Sequence, residues 1–248
     1  MSIVFYAPAA LVLVVVQGMP VTAPAFLLIL TSGALHLGYF VLLNRGYRVG
    51  DLSLVYPLAR GSGPLLATIA AIVLLRERPS PVALLGVFLI VGSAIVLTGN
   101  PRRLLLAGAG HAVAFALMTG ALIAAYTLVD KEAVSAVLIP PLIYNWAISL
   151  GSWAFLTPWV MTRREEVAKL WRIYRREAIA IGILAPLAYL LVLSALVFSP
   201  VSYVAPAREV GVLFGALMGS RLLGEGDAKR RLTAAGTMVM GIILLALG

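Results

Sequence analysis

Nine long apolar segments dominate this chain of 248 residues and limit the folds that it can adopt. They lie at about 3–19, 24–44, 52–75, 81–99, 106–128, 138–160, 178–198, 201–223 and 232–247. Runs of this length suit helices that cross a hydrocarbon layer of roughly 30 Å. Strands are excluded, because the runs are too long and an open sheet edge is not tolerated in lipid. The pattern predicts an all-α, multi-pass integral membrane protein.

The composition agrees with a membrane protein and removes several functions. The chain is 62% hydrophobic and 12% charged, whereas a soluble domain is about half apolar and about a quarter charged. It has no cysteine and only two histidines, so we expect no disulfide, thiol catalysis or metal site. The net charge of +9 comes mainly from basic residues in short loops, which set membrane orientation. We therefore expect no nucleic-acid partner.

One stretch of the sequence occurs twice, at an offset of 148 residues. Seven residues of 56–77 recur in 204–225: Ala59, Arg60, Gly63, Leu65, Leu74, Leu75 and Glu77 match Ala207, Arg208, Gly211, Leu213, Leu222, Leu223 and Glu225. The second copy has five apolar segments and the first has four, so we expect one more segment upstream of Met1. A unit of five helices crosses the membrane an odd number of times, so its repeat is inverted. Inverted repeats are typical of secondary transporters.

Two pairs of sequence motifs resemble those of a known transporter family: PLARGSGPL with LLRERPSPVALLGVFLIVGSAIVL, and APAREVGVLFGALMGSRLLGE with GTMVMGIILL. They resemble the two halves of an EamA-type transporter of the drug/metabolite transporter superfamily. The stretch GALIAAYTLVDKEAV (Gly120–Val134) is similar to the helix that opens a repeat in that family. The resemblance implies two inverted repeats around a central cavity, with alternating access. It also implies that residues 1–103 form a repeat of four helices, which lacks the first of the ten helices usual in the family. Residues 104–248 would form a second repeat, of five helices.

Three charged residues lie deep in predicted helices: Arg60, Arg208 and Glu209. An arginine at such depth costs several kcal/mol, so it needs an anion or carbonyl groups nearby. Either the arginines bind a carboxylate or phosphate of the substrate, or Glu209 and one arginine form an interhelical pair. Two cations and one carboxylate leave one positive charge, which favours an anionic or zwitterionic substrate. Glu209 is predicted to be the only carboxylate at this depth.

Four residues with polar side-chain ends complete the predicted substrate site: Tyr39, Tyr126, Asn145 and Tyr189. Tyr144 and Trp146 could also line a cavity. Tyrosine and tryptophan also serve as interface anchors, whereas an amide inside lipid must find a partner. Glu209 and His36 are the candidates for proton coupling, although a lone histidine in a membrane helix is often bonded to a neighbouring helix. Glu77 and Glu225 are interpreted as solvated turn residues.

The connection Arg163–Glu177, RREEVAKLWRIYRRE, differs from the short turns elsewhere. Its residues Val167, Leu170, Trp171 and Tyr174 share one helical face, and Arg and Lys fill the other. We expect a helix at 163–177 that lies in the membrane interface, with a simple solvated linker as the alternative. Four prolines are expected to kink or start helices: Pro57, Pro64, Pro186 and Pro206.

These features predict secondary-active transport, with export the expected direction, of a small metabolite such as an amino acid or organic acid. No P-loop is present, so an ion or substrate gradient would drive transport. Motifs of enzymes are also absent, and we expect neither enzymatic activity nor a cofactor. The alternatives are a flippase of a lipid-linked headgroup and a non-transporting membrane subunit. The expected partners are the substrate and the lipid bilayer of a bacterial inner membrane. A homodimer is a further possibility that the sequence does not decide.

Loop charges predict the orientation. If nine segments cross the membrane, fourteen cations fall on one side and three on the other, while Arg60 and Arg208 lie within it. The richer side is placed in the cytoplasm by the positive-inside rule, with the visible N-terminus inside and the C-terminus outside. The family resemblance implies the opposite placement of the C-terminus, and we follow the charges.

Overall fold

The computed structural model describes residues 2–18, 22–50, 52–98, 110–211 and 228–248. Helices occupy almost all of these ranges, and none of them contains a strand. The helices are α1 (Ser2–Gln17), α2 (Ala23–Val49), α3 (Leu52–Leu74), α4 (Pro81–Thr98), α5 (Gly110–Lys131), α6 (Pro141–Thr162), α7 (Arg164–Phe198), α8 (Val201–Ala207) and α9 (Ala228–Leu247). A π-helical turn, Glu132–Ala136, follows α5. The predicted all-α fold class is confirmed.

Four helices are long and apolar enough to cross a membrane: Ala23–Val49, Leu54–Leu74, Gly110–Ala136 and Arg164–Phe198. Shorter apolar helices lie at Ile3–Gln17, Pro81–Ala94 and Thr233–Leu247. Large apolar side chains such as Phe88 and Leu191 point outward from these helices. The helices are therefore compatible with a multi-pass membrane protein, and the count of nine crossings stays a prediction.

Several helices continue beyond the apolar runs that predicted them. Helix α2 ends at Val49 rather than near residue 44, and α5 ends at Lys131 rather than near residue 128. In α2 the Asn44 side chain donates to the Phe40 carbonyl at 2.7 Å, and Arg48 lies in the last turn, where a cation is favoured by the helix dipole. A hydropathy pattern stops at the first polar residues, whereas the backbone continues as a helix through them.

The predicted segment 201–223 is interrupted near its start. Helix α8 ends at Ala207, and Arg208 and Glu209 form a turn. The Glu209 amide donates to the Pro206 carbonyl, three residues back, at 3.0 Å, as in a tightened last helical turn. The chain from residue 212 to 227 lies outside the described residues, and it includes the rest of this segment.

The predicted interfacial helix at 163–177 is part of α7, which runs from Arg164 to Phe198. Within α7, Tyr174 has non-helical backbone angles, with φ −113° and ψ 24°, so the chain bends there rather than at Pro186. Side chains from Arg164 to Ile173 are exposed, including the apolar ones. Arg163 pairs with Glu166 at 3.5 Å on this exposed segment.

The chain forms two compact units, and each is discontinuous in sequence. The first unit comprises Met1–Ala34 and Val129–Phe198, and the second comprises Leu35–Leu128 and Ser199–Gly248. In the first unit, α6 packs against α1 and α7. Each unit takes residues from both sequence halves, so these units are a different division from the predicted repeats at 1–103 and 104–248, which stay a prediction.

In the second unit α4 packs against α9 over most of its length. A Cβ atom added to Gly86 would lie 2.6 Å from the Gly241 carbonyl oxygen, and one added to Gly241 would lie 2.8 Å from the Gly86 oxygen. The two backbones therefore touch, which is how small residues promote helix association in lipid.

One pair of helices has bounds that agree with the offset found in the sequence. A shift of 148 residues moves α4 from 81–98 to 229–246, and α9 runs from 228 to 247. The same shift moves α2 from 23–49 to 171–197, whereas α7 runs from 164 to 198 and is eight residues longer than α2, at 35 against 27 residues. The inverted repeat therefore stays a prediction.

Candidate functional site

In the second unit two arginines converge on one buried carboxylate. The side chain of Glu209 is 2% exposed, and its Oε1 accepts Arg60 Nη1 at 3.5 Å and Arg208 Nε at 3.4 Å. Arg60 comes from α3, and Arg208 precedes Glu209 in the turn after α8. Both distances are long for charge-assisted hydrogen bonds, so the three groups form a loosely closed cluster with one net positive charge.

Further contacts tie each arginine to a neighbouring side chain. Arg208 Nη1 donates to Thr127 Oγ1 of α5 at 3.3 Å. The guanidinium of Arg208 lies 5.7 Å from the ring centre of Tyr126, and that of Arg60 lies 5.6 Å from the ring centre of Tyr56. Arg208 is 9% exposed and Arg60 is 31% exposed. The aromatic faces offset part of the cost of burying the cations.

The ring of Tyr126 extends the cluster toward α2. His36 stacks on Tyr126 with ring centres 4.0 Å apart, and Tyr39 meets the same ring edge-on at 6.1 Å. Six of the predicted site residues therefore come together in the second unit: His36, Tyr39, Arg60, Tyr126, Arg208 and Glu209. In the sequence these residues lie on four separate apolar segments.

Glu209 Oε2 and Arg60 Nε are buried and have no hydrogen-bond partner among the described residues. Buried polar atoms are nearly always hydrogen-bonded in native structures. The cluster thus has an acceptor, Glu209 Oε2, and a donor, Arg60 Nε, that its internal hydrogen bonds do not use. With its net positive charge, it is chemically suited to an anionic group that also carries a hydrogen-bond donor.

In the first unit the structure shows a second buried carboxylate, Asp130, which is 1% exposed. Its Oδ1 accepts Ser32 Oγ at 2.5 Å and Tyr144 OH at 2.8 Å, and its Oδ2 accepts Tyr189 OH. The prediction that Glu209 is the only deep carboxylate is therefore wrong. The missed signal is the absence of Gly and Pro from 121 to 139, which allows α5 to continue past its apolar run.

Two other predicted residues also belong to the first unit. Tyr189 is one of the three hydroxyl donors to Asp130. Asn145 is buried, and its amide donates to the Pro186 carbonyl at 3.0 Å. Nearby, Trp146 donates to the Ile3 carbonyl at 3.2 Å. The Asn145 and Trp146 contacts join helices within this unit.

Glu77 does not act as a simple solvated turn residue. Its two carboxylate oxygens accept the backbone amides of Val201 at 2.7 Å and Ser202 at 2.9 Å. These amides belong to the first turn of α8, where backbone donors otherwise have no helical partner. The interpretation of Glu77 was therefore wrong, and its repeat partner Glu225 lies outside the described residues.

No protein-family model matches this chain, and no curated protein matches it.

Proposed function

We propose that this chain is a secondary-active transporter, of the EamA type, for a small anionic or zwitterionic metabolite such as an amino acid or organic acid. The observation that supports it best is the buried cluster of Arg60, Arg208 and Glu209 within the second unit. In this proposal a carboxylate or phosphate of the substrate binds beside the two arginines, and alternating access exports it.

The charge of the cluster favours a ligand over a purely structural role. One arginine would suffice to pair with Glu209, and a second buried cation beside the same carboxylate is costly in a low dielectric. An anion that binds there removes that cost. The exposure of Arg60, greater than that of Arg208, makes it the better candidate for direct contact with the substrate.

The break after α8 also supports the proposal. Secondary transporters often bind substrates where membrane helices are interrupted, because freed backbone groups and charged side chains meet there. Arg208 and Glu209 form such an interruption. The bounds of α4, shifted by 148 residues, agree with those of α9 to within one residue at each end, which is consistent with a duplication.

Transport assays with two variants test this proposal. The parent chain, Arg60→Ala and Arg208→Ala would be reconstituted in proteoliposomes and supplied with radiolabelled amino acids and dicarboxylates. We expect uptake to fall at least about 10-fold in both variants, which corresponds to about 1.4 kcal/mol or more. Arg163→Ala is the matched control, because Arg163 is exposed.

The outcomes separate ligand binding from structural pairing. Normal uptake by both folded variants would refute the role of the arginines as substrate ligands. Loss of folded protein in both variants, judged by gel filtration in detergent, would assign the cluster a structural role.

A flippase of lipid-linked headgroups is the second candidate, and one feature favours it. An open apolar groove of about 490 Å³ runs between α3 and α5 in the second unit and is lined only by aliphatic side chains, including Leu66, Ile69, Val73 and Leu128. Such a groove suits an acyl or isoprenoid chain. Translocation of a fluorescent lipid-linked sugar, without uptake of soluble metabolites, would favour this function over the first.

A further inference from the structure

Asp130 lies where four parts of the first unit meet. It projects from the end of α5, and its hydroxyl donors come from α2 (Ser32), α6 (Tyr144) and α7 (Tyr189). The carboxylate is almost fully buried. Neither the proposed substrate cluster nor the packing of apolar helices requires a carboxylate at this position.

No ion pair joins Asp130 to a cation among the described residues of the first unit. Segments 2–34, 137–162 and 178–198 contain no Lys, Arg, His, Asp or Glu, so the titratable groups facing Asp130 from α6 and α7 are the phenols of Tyr144 and Tyr189. Helix α2 also carries His36, four residues after Ser32, and its ring stacks on Tyr126, four residues before Asp130 on α5. On its own element, Lys131 directs its ammonium to the Leu196 carbonyl at 2.8 Å. Glu132 is exposed. The ion pairs in the described part of the chain involve Glu166 and Glu209 instead.

A buried carboxylate without a cation is costly, and one bound proton removes that cost. The hydroxyl groups around Asp130 suit both protonation states. When the carboxylate is ionised, Ser32, Tyr144 and Tyr189 all donate to it. When it is protonated, its new O–H can donate to the phenol oxygen of Tyr189 while Ser32 and Tyr144 keep donating to Oδ1. The contrast with Glu209 is clear, because two guanidinium groups already neutralise that carboxylate.

We propose that Asp130, within its cage of Ser32, Tyr144 and Tyr189, is a proton-binding site that couples substrate movement to a proton gradient. The coupling rests on the proposed transport function, whereas proton binding itself does not. In each cycle the carboxylate takes up one proton from one side of the membrane, becomes a neutral acid, and releases that proton to the other side.

Infrared difference spectroscopy of the full chain in lipid tests proton binding directly, with the proton as the probe. Acid-minus-alkaline spectra of the parent are expected to contain a carboxylic acid C=O band that is absent from Asp130→Asn. Glu132→Gln is the matched control, since this exposed carboxylate lies two residues away, and it should retain the band. Identical bands in the parent and Asp130→Asn would overturn the proposal.

Proteoliposomes test the coupling, with radiolabelled amino acids and dicarboxylates as probes. The parent and Glu132→Gln should accumulate label under a pH gradient. Asp130→Asn should lose that accumulation at least about 10-fold while retaining exchange of label without a gradient. Unchanged accumulation in Asp130→Asn, or accumulation driven by a sodium gradient alone, would overturn the coupling. Absence of exchange in the parent would refute the proposed transport function and leave the infrared result standing.

Milder variants keep the test decisive if Asp130→Asn does not fold. Tyr144→Phe and Tyr189→Phe each remove one hydrogen bond that stabilises the ionised carboxylate. The frequency of the C=O band should then differ from that of the parent. An unchanged band frequency in both variants would refute the assignment to Asp130.

Discussion

At the scale of single residues, this chain stabilises its buried carboxylates in two different ways. Glu209 shares its charge with two guanidinium groups, whereas Asp130 accepts three hydroxyl groups and no cation among the described residues. Hydropathy predicted that Arg60, Arg208 and Glu209 lie in apolar segments, and Arg60 does lie within a helix, whereas Arg208 and Glu209 form a turn. The Asp130 cage could not, because its donors are 14 to 98 residues away in sequence and hydroxyl groups are common in any membrane helix.

Glu77 provides a prediction at this scale. Glu77→Ala removes the acceptor for the Val201 and Ser202 amides, and the loss of a helix cap costs about 1 kcal/mol. We expect the thermal unfolding midpoint in detergent to fall by about 2–4 °C. Arg78→Ala, at an exposed neighbouring position, should leave the midpoint unchanged. An equal midpoint for both variants would show that the cap contributes nothing to stability.

At the scale of helices, apolar runs located most elements but missed their ends. Polar residues that find a local acceptor, such as Asn44 in α2 and Thr127 in α5, let a helix continue where hydropathy falls. After α8 the apolar residues continue past Ala207, whereas the regular helix ends there and the two charged residues, Arg208 and Glu209, form a turn. Hydropathy reports where a helix is apolar, and hydrogen bonding decides where it begins and ends.

The contact between α4 and α9 gives a prediction for a pair of elements. Gly241→Ala would place a Cβ atom 2.8 Å from the Gly86 oxygen and 3.0 Å from the Ile90 amide nitrogen, so the helices must separate. Overpacking of this kind costs about 1–3 kcal/mol, which should lower the thermal midpoint.

Gly236→Ala, on the same helix, is the matched control because nothing lies within 4 Å of its added Cβ. Alanine favours helix over glycine by about 1 kcal/mol, so this variant should equal or exceed the parent in stability. If Gly241→Ala is as stable as Gly236→Ala, the two backbones are not in close contact.

At the scale of the whole molecule, the charges of the loops predict the orientation of the chain in the membrane. A reporter that is active only in the cytoplasm should be inactive when fused after Gly248, because the basic loops hold the opposite side inside. A fusion that ends at Arg163, in the most basic loop, should be active and serves as the control. Strong activity after Gly248 would refute this orientation and favour the one implied by the EamA resemblance.

The discontinuous first unit has a consequence for the order of synthesis. Helix α1 leaves the ribosome before α6, yet the two helices pack together, and the Ile3 carbonyl accepts a hydrogen bond from a donor 143 residues later in the chain. Tyr6 likewise bonds to the carbonyl of Ile183. Helix α1 therefore remains without these partners until the segments that hold Trp146 and Ile183 have been made. Assembly of this unit is a late event, and a ribosome stalled before residue 141 would leave α1 without its α6 contacts.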